Sequence, residues 1–535
     1  ISGDRMISSG AVRADGGGTI SSKLAHGLVE TTSAVISAQG GGGISIDGGA
    51  GKVYTSGSYS ADGEQGGKVV ITAHDVSLMG AKVSATGASK GGTILVGGDY
   101  QGGNASVRNA AKTSVGAGVT LNADATGNGD GGKVVVWSDE KTVFAGELTA
   151  RGGAAGGDGG VLEVSGKQTL YFGGKADAHA PKGKSGTLLL DPKDIFIDSE
   201  LSGQLELVDP HPTAGGNFGK LNVPLTTTSG STVTRTGYIV VTNPKDNLGA
   251  TDSGAAYLFR QSDQALISTL YGTHAGDKVG SMGVTSLTNG NYVVSSNLWN
   301  GGMGAVTWGN GTTGWGAGAV AVASSNSLIG SLATHKSTMN EDTSDNVGGY
   351  AITVLKNGNY LVGTPSFNNN RGALTFGNGS TGVSGVVSAA NSLIGSTAMT
   401  VVPADGYKPY KNGDQVGSGV TVLANDNYVL ANANWNKGVG AVTFASGTTG
   451  IKGTVGSSNS LIGDSTRFDS TGDGTGTDKV GSNVRVLTGS QFVVYGSDWK
   501  NSSGALTSFD GVTAITGLVS SSNSLVGNAG DFLSS

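Results

Sequence analysis

Residues able to do chemistry are sparse in this chain of 535 residues. It has no cysteine, which excludes disulfides, thiolate catalysis and Cys-ligated metals. The carboxylates nearest to a cluster for polysaccharide cleavage are Asp139, Glu140, Glu147 and Glu163, and their spacing does not follow the chain's own repeat. The histidines are scattered without ligand spacing, at positions 26, 74, 179, 211, 274 and 335. The sequence therefore predicts a protein that is not an enzyme.

A loop rich in Gly and Thr carries the candidate metal ligands Asp469, Asp473 and Asp478. Carboxylate oxygens at such irregular spacing are ligands that calcium accepts. A solvated loop is the alternative, and it is the one we favour. We therefore expect no resident cofactor, with calcium as the other candidate.

Aromatic residues at one repeated position are the candidate ligand-binding residues. Each of them follows an aromatic residue of a strand pattern by seven positions: Trp299, Phe367, Trp435 and Trp499. An aromatic ring near a loop can stack on a sugar ring, because it combines apolar area with a polar edge. Packing between repeat units is the alternative interpretation, and it is the one we favour.

The composition indicates short strands joined by tight turns. The chain has 97 glycines but only 13% charged residues, and glycine disfavours helices. No apolar run is long enough for a membrane-spanning helix, and a net charge of −6 argues against a nucleic-acid partner. Because the chain starts at Ile1 without a signal peptide, we expect a mature or internal segment.

Residues 1–198 repeat with a period of about 25 residues. Paired small residues precede an apolar run, and the second of each pair lies at positions 17, 42, 67, 92, 132, 160 and 186. The wider gap between positions 92 and 132 predicts an insertion near residues 100–115. A small Ala, such as Ala85, alternates with polar residues before each run and predicts an inward-facing strand. Units this short must stack to bury that face, as in a β-solenoid of seven coils.

A second repeat fills residues 235–535. The motif Asn-Ser-Leu-Ile/Val-Gly begins at positions 326, 391, 459 and 523, which gives spacings of 65, 68 and 64 residues. Each interval holds about four strand signals, which is typical of a propeller blade, and a wide solenoid coil is the alternative. A partial earlier copy covers Gly237–Phe259, and the predicted total is about five four-stranded units.

The boundaries follow from breaks in these patterns. Asp191-Pro192 is predicted to end the solenoid, since proline cannot donate a ladder hydrogen bond. Residues 199–234, which contain three prolines, are predicted to form a connector. The final residues Gly530-Asp531-Phe532-Leu533 are similar to the opening of a sixth copy, which favours a longer array over a closed ring.

One ordered string of motifs carries a family resemblance. It runs through Gly132-Lys133-Val134-Val135-Val136-Trp137, then Gly157-Asp158-Gly159-Gly160, and ends with Leu188-Leu189-Leu190-Asp191-Pro192-Lys193-Asp194-Ile195. This string resembles the end of the β-helix in filamentous-haemagglutinin-type adhesins, which are two-partner secretion exoproteins. Residues 235–535 resemble repeats found downstream in some of these exoproteins.

The resemblance implies a location and a partner. Members of that family are secreted or surface proteins of Gram-negative bacteria, exported through a dedicated outer-membrane secretion barrel. The expected fold is all-β, with a right-handed parallel β-helix at 1–198, a connector at 199–234 and a β-propeller-like repeat domain at 235–535. The expected function is an extracellular structural adhesin, a rigid stalk that presents the repeat domain for surface or matrix attachment. Surface glycans or matrix polysaccharide are the candidate partners, and no nucleic-acid partner is expected. The alternatives are a filament or biofilm-matrix protein that self-associates end to end and, third, a lectin-like polysaccharide binder.

Overall fold

The computed structural model describes residues 1–198, 207–316, 318–333, 335–336, 342–399, 413–464 and 478–528. Strands and loops make up nearly all of these residues, so the expected all-β fold is confirmed. Within the described ranges, helix is limited to a 3₁₀ turn at Tyr100–Gly102 and to one-turn helices at Trp299–Gly302, Phe367–Asn370, Trp435–Gly438 and Trp499–Ser502.

The amino-terminal part is a parallel β-solenoid with three long sheets, in which each coil adds one strand to each sheet. The first sheet contains Ser2–Gly3, Thr19–Leu24, Gly43–Asp47, Lys68–Thr72, Thr93–Val96, Lys133–Ser138, Val161–Gly166 and Thr187–Leu189. The second contains Met6–Ser8, Gly27–Glu30, Lys52–Thr55, Asp75–Leu78, Lys112–Val115, Lys141–Phe144, Thr169–Phe172 and Asp194–Ile197. The third contains Ala11–Arg13, Val35–Ser37, Ser58–Ser60, Lys82–Ser84, Thr120–Asn122, Glu147–Thr149 and Lys175–Asp177, and a short pair joins Gly63–Gln65 to Gly87–Lys90.

The paired glycines form a ladder at one corner of the coils. A Cβ atom on Gly67 would lie 2.0 Å from the carbonyl oxygen of Gly42, and one on Gly92 would lie 2.2 Å from that of Gly67. No side chain fits between backbones this close, so successive coils require glycine here. This contact explains the regular spacing of glycine in the sequence.

The solenoid interior is filled by the residues that the alternation places inward. Five stacked alanines, Ala38, Ala61, Ala85, Ala123 and Ala150, are all fully buried. They share one continuous core with the apolar residues of the three sheets, including Val69, Ile94 and Val134. The inward assignment of the Ala positions is therefore confirmed, and the core runs the length of the coils.

The coils contain the predicted insertion and differ from the predicted pattern at two places. The wide spacing comes from residues 97–111, which leave the coil between the strands Thr93–Val96 and Lys112–Val115. One further strand, Asp194–Ile197, follows Pro192 and pairs with Thr169–Phe172. Pro192 lies between two strands, where no ladder hydrogen bond is needed, so it does not end the sheet. An additional coil at Ser2–Arg13 precedes the first predicted one.

The second part contains five small sheets, each built mainly from one unit of the chain. Unit 1 contains Leu221–Ser229, Thr232–Asn243, Ala255–Arg260 and Leu266–Tyr271, and unit 2 contains Gly283–Ser286, Tyr292–Ser296, Ala305–Gly309 and Ser327–Ile329. Unit 3 contains Ile352–Val354, Tyr360–Thr364, Ala373–Gly377 and Ser392–Ile394, and unit 4 contains Val420–Val422, Tyr428–Asn432, Ala441–Ala445 and Leu461–Ile462. Unit 5 contains Asn483–Val486, Phe492–Gly496, Ala505–Phe509 and Leu525–Val526. A separate short hairpin joins His335–Lys336 to Asp342–Thr343.

Each of units 2 to 5 contributes one strand to the sheet of the preceding unit. The four strands of a unit are antiparallel, and a fifth strand from the next unit pairs in parallel with the last one. Gly318–Ala321 joins unit 1 in this way, followed by Gly385–Val386 on unit 2, Gly453–Thr454 on unit 3 and Gly517–Leu518 on unit 4. Backbone hydrogen bonds therefore tie each unit to its successor.

The predicted connector contains the opening strand of unit 1. Leu221–Ser229 forms a hairpin with Thr232–Asn243, although the sequence pattern indicated a linker there. Pro224 is tolerated because its strand lies at the edge of the sheet and the pairing register shifts after it. The prolines made this segment resemble a linker in the sequence, although it contains a regular strand. Unit 1 therefore has the same four strands as the later units.

Five consecutive hydrophobic cores join the parts of the molecule. The first contains Tyr54 and Met79 of the solenoid together with Tyr257 and Phe259 of unit 1. The next four cores join units 1 and 2, 2 and 3, 3 and 4, and 4 and 5. Residues 530–533, predicted to open a sixth copy, lie outside the described residues.

Candidate functional site

The four repeated aromatic residues lie inside the cores between units. Trp299, Phe367, Trp435 and Trp499 each begin a one-turn helix, and their exposed fractions are 5%, 5%, 6% and 3%. Their rings therefore offer no face to a sugar in this arrangement, and the burial favours packing as their role. Binding of a ligand by these four residues stays a prediction that would require the cores to open.

A buried aspartate fixes the backbone next to each of these aromatic residues. Asp345 accepts backbone N–H bonds from Ser331 at 2.6 Å, Leu332 at 2.8 Å and Asn368 at 2.7 Å. Asn368 has a φ of 47°, which asparagine tolerates better than most residues. Asp277, Asp414 and Asp478 make the equivalent bond to the residue after the aromatic one.

The candidate calcium ligands divide between described and undescribed residues. Asp478 belongs to the repeated aspartates, and it accepts the N–H of Asp464 at 2.7 Å and of Lys500 at 3.1 Å. Asp469 and Asp473 lie outside the described residues. Within the described residues, no group of three or more His, Cys, Asp or Glu side chains could hold a metal ion. Calcium binding in this loop stays a prediction.

A cleft between units 2 and 3 brings together two tryptophans that the sequence analysis did not single out. Its volume is about 410 Å³, and Trp308 and Trp315, both half-buried, form part of its lining. The indole N–H of Trp308 donates to the carbonyl oxygen of Gly379 at 3.0 Å. Trp315 packs edge-on against Tyr292, with ring centroids 5.3 Å apart. Trp308 is therefore held across units 2 and 3, whereas Trp315 is held against the core that unit 2 shares with unit 1.

The remaining described lining of the cleft is uncharged and, apart from Val383 and three glycines, carries polar side chains. Thr313, Ser325, Thr381 and Ser384 lie around the two rings, and their hydroxyl groups have no hydrogen-bond partner among the described residues. The side-chain oxygen of Asn310 accepts the N–H of Thr313 at 3.0 Å, which fixes the amide at the edge of the cleft. The cleft therefore combines aromatic faces with hydroxyl groups that are free to bind.

A departure from the repeat could have identified this cleft from the sequence. The positions of Trp308 and Trp315 align with Phe376 and Val383 in unit 3 and with Phe444 and Ile451 in unit 4. Unit 5 has Ser508 and Ile515 there. A pair of tryptophans thus replaces smaller residues in a single unit, and such an exception within a regular repeat is a signal for function.

A buried polar network lies where the solenoid meets unit 1. His211 receives a hydrogen bond from Arg5 on Nε2 at 2.7 Å, and its Nδ1 lies 2.8 Å from Asp246. Because arginine only donates, the His211 Nδ1 carries the proton and donates to Asp246. Tyr257 donates to the same carboxylate at 2.5 Å. The network ties the first coil, the segment after the solenoid and unit 1 together.

Lys52 and Asp209 extend this junction, and Lys52 lines a cavity of about 310 Å³ there. The Lys52 ammonium donates to the Asp209 carbonyl oxygen at 3.0 Å. Burial lowers the pKa of Lys52 to about 8, against the opposing charges of Asp209 and Asp75. Burial likewise raises the pKa of Asp209 to about 6. Both groups are partly withdrawn from water, which is typical of a structural contact.

Unit 5 leaves exposed two leucines whose counterparts are buried in the other units. Leu487 and Leu525 are 43% and 61% exposed. Their counterparts are almost completely buried in the earlier units, where the next unit covers them: Leu287, Leu355, Leu423, Leu328, Leu393 and Leu461. We call the surface of Leu487 and Leu525 the unit 5 face.

Comparisons with known proteins agree with the repeat boundaries. Residues 286–338, 354–403, 422–473 and 486–534 match a family described as a repeat of unknown function (DUF5650). These four stretches correspond to units 2 to 5, and together they span less than half of the chain. No curated protein matches the chain.

Among solved structures, the chain is similar to the HMW1 secretion domain from Haemophilus influenzae. The two are 26% identical over 35% of this chain and 49% of that one, with a TM-score of 0.22. The match thus spans about half the length of that structure. None of the helices in the described part of the chain is long and apolar enough to cross a membrane.

Proposed function

We propose that this chain is the structural part of an extracellular adhesin of a Gram-negative bacterium. In this proposal a β-solenoid stalk presents the repeat units for attachment to a surface or a matrix. The observation that carries it is the unbroken series of five cores from the solenoid to unit 5.

The series of cores suits a mechanical role. Each core is formed by residues of two adjacent parts of the molecule. The strand that a unit contributes to the preceding sheet adds backbone hydrogen bonds between successive units. A load applied to one unit is therefore passed to the next, as in other arrays that are stabilised by nearest-neighbour contacts. Repeated surfaces also allow many weak contacts to add up through effective concentration.

The proposal includes export and excludes an enzymatic step. Export through an outer-membrane secretion barrel rests on the motif string at residues 132–195. Two of the four candidate catalytic carboxylates are engaged in structure: Glu163 accepts the backbone N–H of Gln101 at 3.0 Å, and Asp139 accepts the indole N–H of Trp137 at 3.2 Å. We propose that the protein acts by binding alone.

Surface display tests this function. The chain, preceded by a two-partner secretion domain, is expressed in Gram-negative cells with the matching outer-membrane barrel. Displaying cells should be retained on a polysaccharide matrix under flow, whereas cells with the solenoid alone, residues 1–198, should wash off. Equal retention of the two, with display verified by antibody, would contradict an adhesive role of the repeat units. Hydrolysis of the matrix by purified chain would contradict the non-enzymatic role.

Self-association is the second candidate function. Leu487 and Leu525 form apolar area that either a further unit of the same array or a second molecule could cover, and the proposal of self-association takes the second molecule. Sedimentation velocity should show concentration-dependent association of the purified chain, reduced by the double change Leu487→Asn/Leu525→Asn. A monomer at all concentrations would exclude this candidate.

A further inference from the structure

The geometry points to a binding site for a neutral hexose residue of a polysaccharide in the cleft between units 2 and 3. This inference rests on the proposed adhesive function and names the ligand class and the residues for it. The cleft, at about 410 Å³, lies within the range of roughly 300–1,000 Å³ typical of small-ligand pockets.

The two indoles supply the apolar part of the site. Trp308 is anchored by its bond to Gly379, and Trp315 is anchored against Tyr292. Rings that are already fixed lose little conformational freedom when a ligand binds. The C–H face of a hexose can pack on such a ring, while its hydroxyl groups remain available at the ring edge.

The hydroxyl groups supply the polar part. Thr313 and Ser325 lie on the unit 2 side of the cleft, and Thr381 and Ser384 lie on the unit 3 side. A hydroxyl can both donate and accept, so it suits the hydroxyl groups of a sugar in either orientation. Because these four hydroxyls have no partner among the described residues, binding would not break an existing protein bond.

The absence of charge among the described lining residues selects a neutral sugar. None of them is Asp, Glu, Lys, Arg or His. An acidic sugar would lose hydration of its carboxylate in the cleft without gaining a cation as partner. A neutral hexose has no such penalty, so it is the ligand class that we propose.

The repeat itself offers substitutions that should preserve the fold. Units 3 and 4 have Val383 and Ile451 where unit 2 has Trp315, and Phe376 where it has Trp308. Trp315→Val and Trp308→Phe therefore install residues that neighbouring units already accommodate. The double change Thr381→Ala/Ser384→Ala removes two hydroxyls from the other side of the cleft. Trp435→Phe is the control, because Phe367 occupies that buried position in unit 3.

The binding experiment uses the full chain and defined oligosaccharides. Neutral oligomers of glucose, mannose and galactose and acidic oligomers of glucuronate are titrated while indole fluorescence and heat are recorded. At least one neutral series should bind, and Trp315→Val should weaken it by about tenfold or more, as expected when a buried aromatic anchor is lost. Trp308→Phe and the Thr381/Ser384 change should weaken it by about three- to tenfold, and Trp435→Phe should leave it unchanged.

Three outcomes would overturn the site. They are binding of the glucuronate oligomers alone, no binding of any oligomer, and parent-like affinity of Trp315→Val with a parent-like melting temperature. If the melting temperature of Trp315→Val is lower than that of the parent, the affinity of Thr381→Ala/Ser384→Ala is the test instead, and a parent-like value would overturn the site. Cells that display Trp315→Val separate this inference from the proposed function. Parent-like retention under flow would reject the site and leave the adhesin standing, whereas no retention of the parent would reject the adhesin.

Discussion

Glu30 shows how far the chemistry of one residue is set by its surroundings. It is fully buried in the solenoid, where Thr55 donates to its Oε2 at 2.8 Å and Tyr59 donates to the same oxygen. Its other oxygen has no partner among the described residues. Burial raises the pKa of Glu30 to about 7, although the bonds from Tyr59 and Thr55 oppose this shift.

Glu30→Gln should make the protein more stable at alkaline pH. Because the folded pKa of about 7 exceeds the ordinary 4.5, the folded state holds the proton more tightly than the unfolded chain. The free energy of unfolding of the parent therefore falls as pH rises from about 4.5 through 7. The variant should exceed the parent by up to about 3 kcal/mol above that range and lose this advantage below it.

Urea unfolding across this pH range measures the difference. The exposed Glu64→Gln is the control, and its pH dependence should match that of the parent. An identical pH dependence for Glu30→Gln and the parent would show that Glu30 is already ionised at neutral pH without penalty.

Trp435→Ala should destabilise the repeat region because the ring fills the core between units 3 and 4. The expected loss is about 3–5 kcal/mol, as for other buried large-to-small changes. Trp435→Phe should cost much less, since unit 3 uses Phe367 at this position. Thermal unfolding measures both variants. Parent-like stability of Trp435→Ala with loss of sugar binding would return this residue to the ligand-binding role.

At the scale of elements, the coils depend on backbone contact as much as on apolar area. The glycine ladder brings the backbones of successive coils together, and the buried alanines leave no room for larger side chains. Strand register is therefore set at one corner and maintained along three sheets. The repeat units use a different device, in which a buried aspartate fixes the turn after the second strand.

Ala85→Glu should disrupt the stacking of coils. The position is fully buried and offers no partner to a carboxylate, and an uncompensated buried charge costs about 3–5 kcal/mol. The neighbouring Lys82 is exposed, so Lys82→Glu is the matched control and should leave the melting temperature nearly unchanged. If both variants melt like the parent, the inward face of this strand is wrongly assigned.

Asp345→Ala should loosen the link between units 2 and 3. The change leaves the backbone N–H groups of Ser331, Leu332 and Asn368 without their acceptor, and each unsatisfied group costs about 1–3 kcal/mol if it stays buried. Hydrogen exchange should accelerate at these amides while the solenoid amides remain protected. Unchanged exchange at Ser331 and Asn368 would show that the aspartate does not hold the turn.

For the whole molecule, the contact between the solenoid and unit 1 decides whether these two parts unfold together. That contact combines the core around Tyr54 and Met79 with the polar network of Arg5, His211 and Asp246. It gives unit 1 a covered face, whereas the unit 5 face is exposed among the described residues. We therefore expect the solenoid to stabilise unit 1, and each unit to stabilise the one that follows it.

Met79→Glu should uncouple unit 1 from the solenoid. Met79 is 1% exposed at the contact, whereas Met282, the site of the control Met282→Glu, is 49% exposed. We expect the strands of unit 1 to lose hydrogen-exchange protection in Met79→Glu, together with a separate early thermal transition. A single parent-like transition would show that unit 1 does not depend on the solenoid.

The sequence alone determined the features that repeat locally. Glycine spacing predicted the coils, the alternation around Ala85 predicted the inward face, and the motif spacing of 64–68 residues predicted the units. These features follow from contacts between equivalent residues of adjacent repeats, so a period along the chain is enough to reveal them.

The tertiary structure decided what lies between repeats. Three features arise where two units meet. They are the parallel strand that a unit contributes to the preceding sheet, the burial of Trp435, and the cleft at Trp308 and Trp315. The network joins Arg5 to His211, 206 positions away, and through it to Asp246. Such contacts depend on how whole units pack, and a period in the sequence does not specify which side chains that packing buries and which it leaves open.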